Sequence, residues 1–176
     1  VARTVPASLL EVPGNTITSA WQNAQVKALC DFLTAVPVFS GYQTATQSIL
    51  NSTFTSFTID TTVIDTDGGH SNTVNPSRYT ATVPGNYLVI GTSAWAASNA
   101  GYRRTRIALN GNAQHGATGF DQNQVVTSAG LAISLLPMNG TTDYVEVQGA
   151  QNSGGALNTV SASDFCPSLV VCWLRS

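Results

Sequence analysis

The side chains best able to move a proton near neutral pH are His70 and His115. Each stands among turn formers, in Gly68-Gly69-His70-Ser71-Asn72 and Gln114-His115-Gly116. No nucleophile segment of the Gly-x-Ser-x-Gly kind lies near either one. The expectation is that neither supports catalysis and that the chain is not an enzyme. Asp65-Thr66-Asp67-Gly68 has the opening of a calcium loop, with carboxylates at alternate positions. It lacks the remaining ligands and the closing glutamate. Two readings stand: Asp65 and Asp67 tie a turn through backbone N–H groups, or they hold a cation weakly. No cofactor is implied.

Arg103, Arg104 and Arg106 form the one cationic cluster. On a strand Arg104 and Arg106 share a face, opposite Thr105, Ile107 and Leu109. They would pair with Asp or Glu on a neighbouring strand or subunit, or remain solvated. A formal net charge of -2 gives no footprint for nucleic acid. Cys30, Cys166 and Cys172 are odd in number and have no zinc-type spacing. They are expected to be free, buried thiols, which suits assembly in a reducing compartment. Asn51-Ser52-Thr53 and Asn139-Gly140-Thr141 match the glycosylation pattern. The start Val1-Ala2-Arg3-Thr4-Val5-Pro6 has no apolar segment, so no secretory leader is expected and these acceptors are discounted. No apolar run nears the roughly 20 residues that span a bilayer, so no membrane insertion is expected.

These residues must be held by something, and residues 78–96 show what. Tyr79, Ala81 and Val83 share one face; Pro84-Gly85-Asn86 marks a turn; a long apolar stretch follows. Leu88 and Ile90 are apolar, and so are Tyr87 and Val89, so this second strand is expected to be buried on both faces. Charged residues are only 9% and hydrophobic residues 43% of the 176, which excludes a disordered chain. Residues 42–49, 53–60, 104–109, 124–136, 144–148 and 169–174 read as further strands, the fourth stopped by Pro137. Residues 36–41 read as a linker and residues 65–72 as a loop. Short strands with no helices between them predict a sandwich or barrel.

Ahead of them, residues 1–14 read as an extended arm, because Pro6 and Pro13 oppose a helix. Residues 16–35 predict one helix, capped by Thr16 or Thr18 and stopped by Pro37. Trp21, Val26, Leu29, Phe32 and Leu33 recur near helical spacing. This helix is expected either to cover one end of the β-domain, to dock on a larger assembly, or to associate with its own kind.

The order of signals resembles a known family. Tyr79 is followed by five residues and then Gly85-Asn86-Tyr87-Leu88-Val89; Asn110-Gly111, Thr142-Asp143-Tyr144-Val145-Glu146-Val147, Ser163-Asp164-Phe165 and Leu169-Val170-Val171 come next. Over residues 42–174 this resembles the C1q/TNF-like jelly roll, with Tyr79 replacing the usual Phe and Gly91 standing where an aromatic is usual. The resemblance implies an all-β jelly-roll sandwich with one N-terminal helix and an extended arm, assembled as a homotrimer. Ala2-Arg3-Thr4, Ile17-Thr18-Ser19-Ala20 and Asn23, ahead of a helix ending at Leu33, resemble the opening of small virion surface proteins of actinobacterial phages. That likeness implies an anchor over residues 1–37, carried by Arg3, Trp21, Val26, Leu29 and Leu33, and a jelly roll over 38–176. Its partners would be major capsid or tail proteins, and it would sit on the virion surface after synthesis in the bacterial cytoplasm. The role implied is non-enzymatic decoration of a capsid or tail. The rival is a module that binds carbohydrate or a host receptor, with a surface glycan as ligand.

Leu169-Val170-Val171-Cys172-Trp173-Leu174 is apolar at every position. Alternation cannot give such a strand a wet face, so a partner is expected to cover its outer side. Tyr87, Val89, Val171 and Trp173 are the expected interface. The alternative is that Trp21 or Phe32 of the helix covers that side within one subunit.

Overall fold

The computed structural model describes residues 5–7, 14, 16–121 and 125–176. Thr18 opens the helical segment, its hydroxyl accepting the Trp21 N–H at 3.1 Å. The segment runs as α1 (Ser19–Gln22), a π turn (Asn23–Lys27) and α2 (Ala28–Thr34). In chain order there follow β1 (Val38–Tyr42), β2 (Ser48–Ile49), β3 (Thr55–Ser56), β4 (Thr61–Asp65), β5 (Tyr79–Thr80) and β6 (Gly85–Trp95). Next come β7 (Tyr102–Leu109), β8 (Asn112–Ala113), β9 (Thr118–Asp121), β10 (Ser128–Met138), β11 (Tyr144–Gln151), β12 (Leu157–Asn158) and β13 (Ser168–Arg175).

The first sheet has the order β10-β6-β13-β1-β4, and every pair in it is antiparallel. The second has the path β3-β11-β7-β8, with β5 on β11 and β9 on β7. The sheets face each other across a core that includes Phe39, Tyr79, Tyr87, Val89, Ile107, Val147, Leu169 and Val171. Gly91 brings them close. A Cβ there would lie 2.5 Å from Val147 Cγ2 and 2.8 Å from Ile107 Cδ1, so the other sheet fills the space an aromatic ring would take.

Several sequence expectations change. Residues 38–41, expected as part of a linker over 36–41, belong to strand β1, which pairs with β13 and β4. Pro137 does not stop its strand: β10 runs on to Met138, and it lies at the sheet edge, where a missing N–H costs no ladder bond. The expected interface residues Tyr87, Val89 and Val171 have no exposure and Trp173 has 9%. They point into the subunit's own core, where Tyr87 donates its hydroxyl to the Val83 carbonyl at 2.6 Å.

The helix meets the sandwich at one end. Phe32 is buried and stands edge-on to Trp173, with ring centroids 5.0 Å apart, while Val5 and Val36 pack on the same cluster. Phe32 therefore plugs an end of the sandwich rather than covering the outer side of β13. The cysteines also differ from expectation. All three are free, but Cys30 is exposed and Cys166 and Cys172 are only half-buried. Burial raises the Cys172 thiol above its ordinary value; burial, then the charges of Asp164 and Asp60, raise Cys166.

Candidate functional site

Three surfaces hold the residues singled out by sequence. The first is an open groove of about 780 Å³ at the helix end of the sandwich. The loop from Asp67 to Arg78 forms one wall, and Gly140 to Tyr144, between β10 and β11, forms the other. Asp65 accepts the N–H groups of Gly68 at 2.9 Å, Gly69 at 3.2 Å and His70 at 3.0 Å. Asp67 accepts the Tyr79 hydroxyl at 3.1 Å and the Thr82 hydroxyl. Burial, then the Asp67 charge, hold the Tyr79 hydroxyl far above its ordinary value, so it remains a donor. Both carboxylates are thus engaged by donors of the chain itself, which is the turn-tying reading. Among the described residues no cluster of three His, Cys, Asp or Glu is placed to hold a metal ion.

His70 bridges two carbonyls. Its Nδ1 is 2.7 Å from the Arg78 oxygen and its Nε2 3.0 Å from that of Ile59. The ring also lies 4.6 Å from that of Phe39. Both nitrogens are occupied by the backbone, so neither is free to take a proton from a substrate. His115 lies exposed on the loop between β8 and β9, far along the chain from His70 and outside the groove lining. The structure does not bring the two together.

The second surface is the outer face of the second sheet. Here the arginines behave differently from the sequence expectation. Arg103 points inward with no exposure, and its guanidinium donates to the carbonyls of Tyr102 at 2.9 Å, Ala100 at 3.0 Å and Ser98 at 3.4 Å. Burial lowers its pKa below the ordinary arginine value. Arg104 and Arg106 face outward and find aromatic rings, not carboxylates. Arg104 lies 4.4 Å over Tyr102 and Arg106 lies 3.6 Å over Phe54. Arg106 Nε also donates to Gln148 Oε1 at 2.8 Å. Arg78, at the groove, repeats the pattern 4.0 Å over Tyr144 and pairs with Glu146 at 3.3 Å. Two of these stacks have no local signal, because Phe54 and Tyr144 are remote from Arg106 and Arg78 in the chain, whereas Tyr102 stands two residues from Arg104 on the same strand face.

The third surface is the outer face of the first sheet, and it is apolar. Register places Ile64, Ser40, Val170, Ile90 and Ile133 in one row across five strands. The next row is Val38, Cys172, Leu88 and Leu135. Leu131 and Ile133 are each 45% exposed, and Leu135 and Leu174 each 52%. These are the outward partners of the residues that sequence reasoning chose, one position along each strand.

Of the expected anchor residues, Arg3 lies outside the described residues. Trp21 and Leu29 are half-buried, whereas Val26 and Leu33 are exposed at 46% and 67%. With Ile17 at 59% they leave apolar side chains standing in water along the helical segment. No helix among the described residues is long and apolar enough to cross a membrane.

No protein-family model and no curated protein matches this sequence. Solved structures do match the fold. The globular domain of a zebrafish complement 1qA protein aligns with a TM-score of 0.58 at 13% identity, over 80% of this chain and 99% of that one. Murine APRIL aligns at 0.59 and 9% identity, over 77% and 98%. The vertex protein P5 of phage PRD1 aligns at 0.54 and 16% identity, over 80% and 99%. The fold is therefore the C1q/TNF-like jelly roll.

Proposed function

We propose that the protein is a homotrimeric structural subunit of a virion surface, anchored by its N-terminal segment and displaying the jelly roll outward. One observation carries the assembly: the outer face of β10-β6-β13-β1-β4 is largely apolar, and no element among the described residues covers it. A solvated sheet face alternates polar side chains outward, and this one does not. Packing three copies through it hides Leu131, Ile133, Leu135 and Cys172 while the second sheet remains in solvent. The exposed Ile17, Val26 and Leu33 supply the attachment to capsid or tail proteins. Likeness to the PRD1 vertex protein supports a virion setting at the level of fold, and the N-terminal resemblance supports the phage one.

The test uses the full chain. Replace Val26 and Leu33 with Asp and offer the protein to particles assembled without it. The expected result is a folded trimer that no longer sediments with particles, beside a wild type that does. Wild-type trimer that ignores the particles overturns the virion reading, and a variant that still decorates them overturns the anchor.

A further inference from the structure

The outer face of the second sheet has a use that trimer packing through the first does not consume. Strand register sets Arg104 opposite Ala150, Arg106 opposite Gln148 and Ala108 opposite Glu146. Along this face run three guanidinium–ring stacks: Arg78 on Tyr144 at the groove, Arg106 on Phe54, and Arg104 on Tyr102. The six residue steps from Tyr144 to Ala150 make a track of about 20 Å. Its one buried carboxylate, Glu146, is already taken by Arg78 and by the Ser77 hydroxyl at 2.7 Å. The Arg104 side chain is exposed and, among the described residues, has a ring beneath it but no hydrogen bond or ion pair. Arg106 commits only its Nε, to Gln148.

Each guanidinium carbon lies within 4.4 Å of a ring centroid, which restricts its rotamers and leaves little freedom to be lost on binding, and among the described residues its terminal N–H edge has no hydrogen-bond partner. Such an edge recognises carboxylate or phosphate oxygens two at a time. Tyr144, Phe54 and Tyr102 are each half-buried with a guanidinium over one face, so what they offer a sugar ring is the part left exposed. The face lacks what a protein partner would need: none of the exposed large apolar residues lies on β7 or β11. Three arginines on a chain of net charge -2 are too few for a nucleic acid backbone. We propose that this track, from the groove to Tyr102, binds an acidic polysaccharide, with carboxylate or phosphate groups on Arg78, Arg106 and Arg104 and sugar faces on the intervening rings. The proposal deepens the display reading and rests on it for the outward placement of this face.

The experiment measures binding of the full chain to four immobilised polymers: polygalacturonate, poly(glycerol phosphate), neutral dextran and a single-stranded oligonucleotide. The mass of the protein is measured in the same samples, so loss of the trimer is distinguished from loss of binding. Expected is binding to an acidic polymer that weakens about tenfold between low and physiological salt, with none to dextran. Preference between the first two polymers identifies carboxylate or phosphate as the recognised group. Arg104→Gln with Arg106→Gln should weaken that binding about tenfold while mass and melting temperature hold. Lys27→Gln with Arg175→Gln removes the same charge elsewhere and should leave it intact. Equal loss in both pairs, retention by the first pair, binding to neither acidic polymer, or preference for the oligonucleotide each overturns the proposal.

Discussion

Ile133→Asp should convert the trimer into a folded monomer. Ile133 is 45% exposed in the isolated subunit and sits in the apolar row with Ile90 and Val170. Fully burying such a side chain is worth about 1.5–3 kcal/mol, so covering its exposed half contributes about 1 kcal/mol per subunit. A carboxylate there forfeits that gain and adds a desolvation cost of several kcal/mol. A total of about 4 kcal/mol in each subunit weakens association about a thousandfold per subunit added. Light scattering or sedimentation equilibrium at about 10 µM reads the result. Wild type should appear at three times the 18.4 kDa chain mass and the variant at 18.4 kDa with an unchanged β-sheet spectrum. Val171→Asp makes the contrast: Val171 has no exposure, and an unpaired charge in the core should unfold the chain outright. Wild type at the mass of one chain, or an Ile133→Asp protein that stays trimeric, refutes the reasoning.

Three further outcomes follow from other contacts. Phe32→Ala should cost about 2–4 kcal/mol in urea unfolding, because it empties the plug against Trp173; a cost near zero would show that the helix stands apart from the core. Asp60 feels burial, which alone would raise its carboxyl, but hydrogen bonds from the Thr44 hydroxyl, the Ala45 and Thr44 N–H groups and the Thr61 hydroxyl bring it below its ordinary value. Its stabilisation is therefore present above the unfolded pKa near about 3.9 and lost as pH falls through the lower folded one. Asp60→Asn should be less stable at neutral pH, with the gap to wild type closing only as pH falls below the ordinary carboxylate range; a gap constant with pH would exclude the charge as its cause. Alkylation at pH 8 should modify the exposed Cys30 quickly and spare Cys172 in the trimer, whereas Ile133→Asp should expose Cys172; equal rates in both proteins would place Cys172 outside the interface.

The sandwich was legible because its signals are local. Asn110-Gly111 turns β7 into β8 with positive φ of 51° and 79°, as that dipeptide requires. Alternation over Tyr79 and Tyr87 to Val89 marked strands that exist. The linker reading of residues 36–41 failed over residues 38–41 for a reason no local pattern carries. Gly41 looks like a breaker, yet a Cβ there would lie 2.7 Å from the Ile59 side chain and 2.9 Å from the Thr61 carbonyl, so glycine is what lets β1 lie against its neighbours. Pro137 misled in the same way, since whether a proline breaks a strand depends on whether the strand is an edge.

The terminal strand shows the limit most clearly. Six apolar residues in a row predict cover on both sides, but they do not say which side is which. A shift of one residue exchanges the two faces. The choice is made by register with remote strands, where Trp173 pairs with Tyr87 and Val171 with Val89. The groove and the arginine stacks are invisible for the same reason, because Arg78 meets Tyr144, and Phe54 meets Arg106, only after the sheets have formed.

The two outer faces were built on the same two-residue period, yet their chemistry differs. Outward from the second sheet come Tyr102, Arg104, Arg106, Glu146 and Gln148; outward from the first come Leu88, Ile90, Leu131, Ile133, Leu135, Val170 and Cys172. If both faces met water, burial would gain nothing from leucine and isoleucine on one of them, and edge-to-edge aggregation would be the cost. The asymmetry fits the proposed packing of the first sheet against other copies of the chain. A covered first sheet accounts for the half-exposed leucines without any change of conformation. It also leaves free the outer side of the second sheet, where Glu146 and Gln148 are buried and Arg104 and Arg106 lie over the rings of Tyr102 and Phe54.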